Sequence, residues 1–541
     1  MLAEKRFREL FRRSESLAEV GGAKNPVHSH SSQRSKTNGS KRMKRSAIVV
    51  GVLVAALLLG ALGSYLYGQY LFSKVKKVSV SSETTQVAGQ PLNILLIGNN
   101  TRTGLSPAEA AAFGTAAQVG GGRADVSMIA HFDPKNKSIT LVSIPRDLFM
   151  PIPGTKKLQR VDAALNPTAA TGTAEDPNQL VKTIEYDLGI PIQHYVELNF
   201  DSFQGIVNAL GGVKMYFPTP VKDAYSGLNI TTTGCLTLNG SQALQVVRAR
   251  HLQYQLPNGT WGYDGLGDLS RTRRDHIFLQ VLASQVKASG ISNPVKDLSL
   301  LKSVLPFLTI DSQFTESEML SLILTYRHSN PAATPTGTLP VAFGPASGYV
   351  FDGVNYNSIV LPQEPADTTM LKSLIGLSQP KISPSQVSVT VVNGSHTYGV
   401  GSQIASGLSG LGFNAINGPS VPPNANPVES VIYYTPGNIA KAEALKSTLT
   451  GEVIMGQVPS TGYSTPLELL VGDQLAVAVA PVTTTSTTQV ATTQQSTTST
   501  AATASSSTAT SPSTTLVSIT GATQVNVSQQ PQPWDPRACP A

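Results

Sequence analysis

The sequence predicts an α/β protein with a second, smaller α/β domain, both following a single membrane-spanning helix. Three observations carry this. Short apolar strands alternate with helical stretches from about residue 90 onward, the alternation resumes after a Pro-containing break near residue 380, and one long uncharged apolar run lies close to the N-terminus. The apolar run, Ala47 to Tyr67, is about 21 residues long. At ~1.5 Å per residue that crosses a hydrocarbon core of roughly 30 Å. It follows Lys41-Arg42-Met43-Lys44-Arg45, and Tyr65, Tyr67 and Tyr70 stand at its far end. This asymmetry predicts a cytoplasmic N-terminus and an extracytoplasmic bulk.

The boundaries expected are a basic cytoplasmic tail over 1–45, a span over 46–68 and a linker over 69–89. A first domain then covers 90–378, with its core at about 90–330. In it, strands LNILLIG, SMIAHFD, SITLVSI and HYVELNF alternate with helix-like NQLVKTIEYDL and DSFQGIVNALG, and a long helix is predicted from Ser270 to Ala288. Thr315 and Glu318 form a capping-box pattern ahead of another helix. The second domain, 385–477, reads strand, helix, strand, helix and two final strands. Residues 482–541 are rich in Ser, Thr, Ala and Gln and are expected to be a disordered tail.

Charge narrows the functional classes. The 541-residue chain has a net charge of +7, but residues 1–45 hold twelve basic against four acidic side chains, so the rest is close to neutral. With the excess of basic charge confined to a short tail and no helix-turn-helix pattern after it, nucleic acid is not an expected partner. No Gly-x-Ser-x-Gly elbow marks a serine hydrolase. The two cysteines, Cys235 and Cys539, are too few for a disulfide framework or a zinc site, and a bond between them is left open.

The chemistry-bearing residues are arginines and aspartates at predicted strand ends. Arg123-Ala124-Asp125 precedes SMIAHFD, Pro145-Arg146-Asp147 ends SITLVSI, and Arg248 and Arg250 follow the short run Ala243–Val247, alternating on one strand face. Asp268, Arg271, Arg273 and Arg274 open the long helix. In a sheet flanked by helices, strand ends and loops converge on one crevice. Several guanidiniums there suit a diphosphate, with a carboxylate such as Asp125 holding Mg²⁺ between the phosphate oxygens. Taken singly each has a plainer reading: Arg271 and Arg274 as surface ion pairs of a helix, Arg146-Asp147 as a turn.

Taken in order, NILLIGNNTR (93–102), GRADVSMIAHFDP (122–134), SIPRDLFMPIPG (143–154), HYVELNFDSFQGIVNALGGV (194–213) and LNGSQALQVVRARH (238–251) resemble the successive motifs of the LytR-CpsA-Psr family. VVNGS and YYTPG in residues 385–477 resemble its accessory LytR C-terminal domain. The resemblance implies an α-β-α sandwich with an apolar tunnel for a polyprenyl chain. It implies transfer of a glycan from a polyprenyl-pyrophosphate carrier to a peptidoglycan sugar hydroxyl, assisted by Mg²⁺ or Mn²⁺. Carried over by position, Arg102, Arg123, Arg160, Arg248, Arg271 and Arg274 would bind pyrophosphate, Asp125 would hold the metal, and Asp125, Arg146 and Arg250 would carry the catalysis. Phe203, Ile206, Val207 and Leu210 would line the tunnel, although their helical spacing equally suits ordinary core.

Two positions depart from the family pattern. Asn100 stands where a carboxylate is usual, and Asp275 where a glutamine is usual, and both oppose tight binding of metal and diphosphate. The competing expectation is therefore a non-catalytic polyprenyl-phosphate- or glycan-binding regulator of the envelope.

Overall fold

A seven-stranded mixed sheet organises the larger domain of the computed structural model. The structure describes residues 67–477, apart from the segments 82–83, 103, 108–121, 167–174, 289–301, 378–380, 423–427, 461 and 463, together with 524–540 except 526. The sheet strands are β1 (Lys76–Val78), β2 (Leu92–Asn99), β3 (Ala124–Asp133), β4 (Ser138–Ile144), β5 (His194–Leu198), β6 (Thr309–Asp311) and β7 (Thr336–Thr338), in the spatial order β1-β6-β5-β2-β3-β4-β7. β2 runs antiparallel to β3 and parallel to β5, so the centre of the sheet is mixed.

Period-2 alternation divides β2 between two layers. Leu95 and Ile97 join a core with Leu180, Val181 and Ile184 of helix α1 (Pro177–Leu188). Leu92 and Ile94 point the other way, toward Leu71, Phe72, Ile310 and Phe314. Helices thus cover both faces. α1 starts where Asp176 caps the amide of Gln179 with Pro177 at the first helical position, and ends at Gly189, whose φ of 68° lies in the left-handed region.

Three further helices face the second layer: α2 (Phe200–Ala209), α3 (Gly240–Arg248) and α4 (Asp268–Ala288). Asn199 caps α2 at the amide of Ser202, and Asn239 and Gln242 close a reciprocal capping box on α3. That box makes the residues before Arg248 a helix. The expectation of a strand face carrying Arg248 and Arg250 is thereby corrected: Arg248 ends a helix, and the chain turns extended at Ala249.

Two segments read as unstructured belong to the fold. The expected linker 69–89 contains β1, on the edge of the sheet, and buries Leu71, Phe72, Val75 and Val80. Within the expected tail 482–541, residues 478–523 lie outside the described residues, but Val525 pairs with Val341, Asp535 is fully buried, and Cys539 is bonded to Cys235. Such a tail contributes few apolar residues, so its composition hides this docking. The expected membrane span lies outside the described residues apart from its last residues. Among the described residues no helix is long and apolar enough to cross a membrane.

The second domain has a five-stranded sheet of Ser388–Asn393, Asn414–Asn417, Ser430–Tyr434, Val453–Gln457 and Leu467–Val471, with helices Val400–Gly410 and Ile439–Lys446 packed on it. Its Lys446 meets Glu364 of the first domain at 2.6 Å, and Tyr434 donates to the carbonyl of Tyr186 at 2.8 Å.

Candidate functional site

Helices α2, α3 and α4 stand off the sheet and enclose a cavity of about 400 Å³. Leu96 and Met128 line it from the strands, and Phe203, Leu244 and Phe278 from the helices, so the wall is mostly apolar. Its polar lining includes a charged cluster of Asp125, Arg248, Arg250, Arg271 and Asp275. An apolar cavity with a few convergent charged groups is the usual form of a ligand site.

Each charged group is placed by a local feature. The register between β2 and β3 shifts at Gly98/Asn99, beside the start of β3 where Asp125 stands. Arg248 ends α3 with its guanidinium 4.7 Å from the Phe200 ring centre. Arg271, on the first turn of α4, reaches Asp268 at 2.9 Å, Asp275 at 3.2 Å and the backbone carbonyl of Asp125 at 2.5 Å. Arg250 sits 3.7 Å from Asp268.

The charge balance is uneven across the cluster. Arg146 is buried, yet Asp125 (2.6 Å), Asp162 (2.9 Å) and Asp147 (3.4 Å) outweigh that burial and hold it above its ordinary range. Arg271 is likewise raised, against its burial, by Asp268 and Asp275. Arg248 goes the other way. Burial pushes it down to about 10, and although Asp125 opposes this, the like charges of Arg250 and Arg102 add to it. Arg250 is lowered by burial and next by Arg146. Two guanidiniums on the cavity wall are therefore held below their ordinary range, a condition that an incoming anion relieves.

The expected site residues divide accordingly. Arg248, Arg250, Arg271 and Asp125 line the cavity, and Arg102 lies close enough to act on Arg248. Arg146 grips Asp125 from behind. Arg123 and Arg160 lie farther out, 3.4 Å and 3.8 Å from the fully buried Asp162, which also pairs with Arg146. Arg274 does not reach the cavity. It binds Asp264 at 2.7 Å and the carbonyl of Ala249 at 2.5 Å, and although its i, i+3 spacing puts it on the same helix face as Arg271, these partners hold its guanidinium off the cavity lining. Of the expected tunnel residues, Phe203 lines the cavity. Val207 belongs instead to a packed core, while Ile206 and Leu210 are half-buried and off the cavity lining. Residues that sequence reasoning missed include Phe200, Tyr225 and His251; Tyr225 packs on His251, with ring centres 4.4 Å apart. The adjacency of His251 to Arg250 was the available signal for it.

For a metal, this site offers the carboxylate of Asp125, which lines the cavity and accepts from Arg146 at 2.6 Å. Asn100 spends its amide oxygen on the backbone N–H of Arg123, at 3.0 Å. Among the described residues no group of three or more His, Cys, Asp or Glu side chains gathers as a metal site. Mg²⁺ is commonly held by one or two carboxylates plus substrate phosphates and water. The donor set thus fits an ion that arrives with a diphosphate.

A family model described as the LytR_cpsA_psr family matches residues 67–370, more than half of the chain. The chain belongs to this family. A second model, described as LytR cell envelope-related transcriptional attenuator, matches residues 386–475, the smaller domain. Among curated relatives, the probable cell wall biosynthesis protein LcpB of Corynebacterium glutamicum is 28% identical over 294 residues, which is 54% of this chain and 65% of LcpB. That match spans slightly less than two thirds of the relative. The polyisoprenyl-teichoic acid–peptidoglycan teichoic acid transferase TagU of Enterococcus faecalis is 29% identical over 327 residues, 59% of this chain and 93% of TagU. Among solved structures, the LytR-Csp2A-Psr enzyme from Actinomyces oris matches with a TM-score of 0.43 and 26% identity, covering 56% of this chain and 96% of that one.

Proposed function

We propose that this protein transfers a glycan from a polyprenyl-pyrophosphate carrier to a sugar hydroxyl of peptidoglycan, working at the outer face of the cell membrane behind a single N-terminal span. The observation that carries the reading is the pairing of an apolar cavity with the guanidiniums of Arg248 and Arg250 on its wall, both held below their ordinary range by burial. The names of relatives that act between polyisoprenyl-linked teichoic acid and peptidoglycan support it.

The polyprenyl chain lies along Leu96, Phe203, Leu244 and Phe278, where burial of its methylenes stabilises binding by about 0.8 kcal/mol each. The diphosphate meets Arg248, Arg250 and Arg271, with Arg102 close by. An acceptor hydroxyl oxygen attacks the phosphorus that bears the glycan. A new P–O bond forms, the bond to the bridging oxygen breaks, and polyprenyl phosphate leaves with the pair of electrons. The hydroxyl proton is lost to solvent or phosphate. The arginines hold the two phosphates in line and neutralise charge on the leaving group, so rate comes from positioning and electrostatics. Asp125 would hold Mg²⁺, which supplies further neutralisation when bound. Arg146 fixes Asp125 and Arg271 orients the same strand end through its carbonyl.

The test incubates the full-length protein in detergent with a short-chain polyprenyl-pyrophosphate glycan, peptidoglycan fragments and Mg²⁺, and follows the phosphodiester product by mass spectrometry. Product that vanishes in Arg250→Ala supports the reading. Tight lipid binding without product would instead favour the regulatory reading, for which Asp275 on the cavity wall is the supporting observation.

A further inference from the structure

The C-terminal segment lies against the other side of α4 from the cavity. Gln529 meets His276 Nδ1 at 2.9 Å, the indole of Trp534 stacks on Tyr254 with ring centres 4.1 Å apart, and Arg537 exchanges backbone hydrogen bonds with Tyr216. At its centre, Asp535 is fully buried and accepts from Arg273 Nε at 2.7 Å, while Arg274 Nη1 lies 3.7 Å from its other oxygen. The adjacent guanidiniums of Arg273 and Arg274 are themselves almost wholly buried. Asp264, 3.3 Å from Arg273 and 2.7 Å from Arg274, supplies one negative charge for two positive ones. Asp535 supplies the second. A buried charge left without its partner is strongly disfavoured, so the balance depends on a residue more than 250 positions away in sequence.

A backbone carbonyl connects this cluster to the ligand cavity. Arg274 Nη2 donates to the carbonyl of Ala249, the residue between Arg248 and Arg250, at the point where α3 ends and the backbone turns extended. We propose that Asp535 is a positioning residue for the anion-binding wall: by completing the charge balance around Arg274 it keeps that guanidinium on Ala249 and thereby sets where Arg248 and Arg250 stand. The proposal rests on the reading of this wall as a diphosphate site. The Cys235–Cys539 bond keeps the segment tethered when Asp535 is neutralised, so a substitution there alters the charge without detaching the segment.

The test uses full-length protein in detergent and measures, by calorimetry, the affinities for farnesyl diphosphate and farnesyl monophosphate. Their ratio is insensitive to the fraction of protein that is folded, because a loss of competent protein scales both titrations alike. In Asp535→Asn the preference for diphosphate is expected to fall about tenfold, the scale of a lost charge-assisted contact, with partial recovery in Asp535→Glu. Arg274→Lys, which keeps the charge but not the planar fork that reaches Ala249, is expected to do the same and serves if the first variant does not fold. An unchanged ratio in both variants, against a clear preference in the parent, would overturn the positioning role alone. No diphosphate preference in the parent would remove the reading of the wall and this inference with it.

Discussion

Arg146 donates through Nη1 to Oδ1 of Asp125 at 2.6 Å while its Nη2 reaches the fully buried Asp162 at 2.9 Å. One guanidinium therefore braces the carboxylate on the cavity wall against a carboxylate that has no access to water. Removing it strands Asp162, although Arg123 and Arg160 remain within 4 Å. Arg146→Ala is expected to lower stability by about 3 kcal/mol in chemical denaturation and to weaken transfer as well. An unchanged denaturation midpoint would show that the other two arginines suffice.

Arg248 and Arg250 stand on the cavity wall, where burial holds both guanidiniums below their ordinary range. Each charge-assisted contact to phosphate is worth about 1.5–3 kcal/mol, so Arg248→Ala and Arg250→Ala are each expected to weaken polyprenyl diphosphate binding by roughly 10- to 100-fold. Binding to the parent should also weaken as salt rises, whereas the variants should show a shallower dependence. Calorimetry at two ionic strengths checks both statements.

The cavity sets a limit on the lipid. Leu244→Trp adds bulk to a wall of about 400 Å³ of space. It is expected to reduce affinity for long polyprenyl diphosphates while sparing a short one, since overpacking is costly only where the chain must pass. Equal losses for both lengths would place the chain elsewhere.

Asp275 provides a pH signature. Burial raises its carboxyl to about 7, with Arg271 opposing the rise and Asp268 adding to it. The folded protein thus keeps a proton between about 4 and 7 that the unfolded chain has lost, so this group stabilises the fold at acid pH and that contribution disappears as pH rises through about 7. Above that pH a negative charge also stands beside the phosphate. Diphosphate affinity is therefore expected to fall between pH 6 and 8, and Asp275→Asn is expected to flatten that profile. A profile unaltered by the substitution would assign the titration to another group.

How much of this was legible in sequence depended on whether the signal was local. LNILLIG and SMIAHFD are short, largely apolar runs and became β2 and β3. The run Ala243–Val247 is too short for its periodicity to separate strand from helix. The deciding signal was the Asn239–Gln242 capping box upstream, which turned Arg248 and Arg250 from strand neighbours into residues flanking a helix end. Arg271 and Arg274 look alike in sequence, but only the first reaches the cavity, and no local pattern distinguishes them because the partners of Arg274, Asp264 and Asp535, come from other segments. The C-terminal segment was hidden for the same reason: its docking uses a buried carboxylate, a stacked indole, a disulfide and backbone pairings with distant segments, and local composition marks none of these.

The most direct measurement is photo-crosslinking with a polyprenyl diphosphate that carries a photoreactive group near the end of its chain, followed by peptide mapping. The account predicts label on the peptides bearing Phe203, Leu244 and Phe278, competed away by excess unlabelled diphosphate lipid and lost in Arg250→Ala. Label outside these helices, or label indifferent to competition, would contradict the assignment of the cavity as the lipid site.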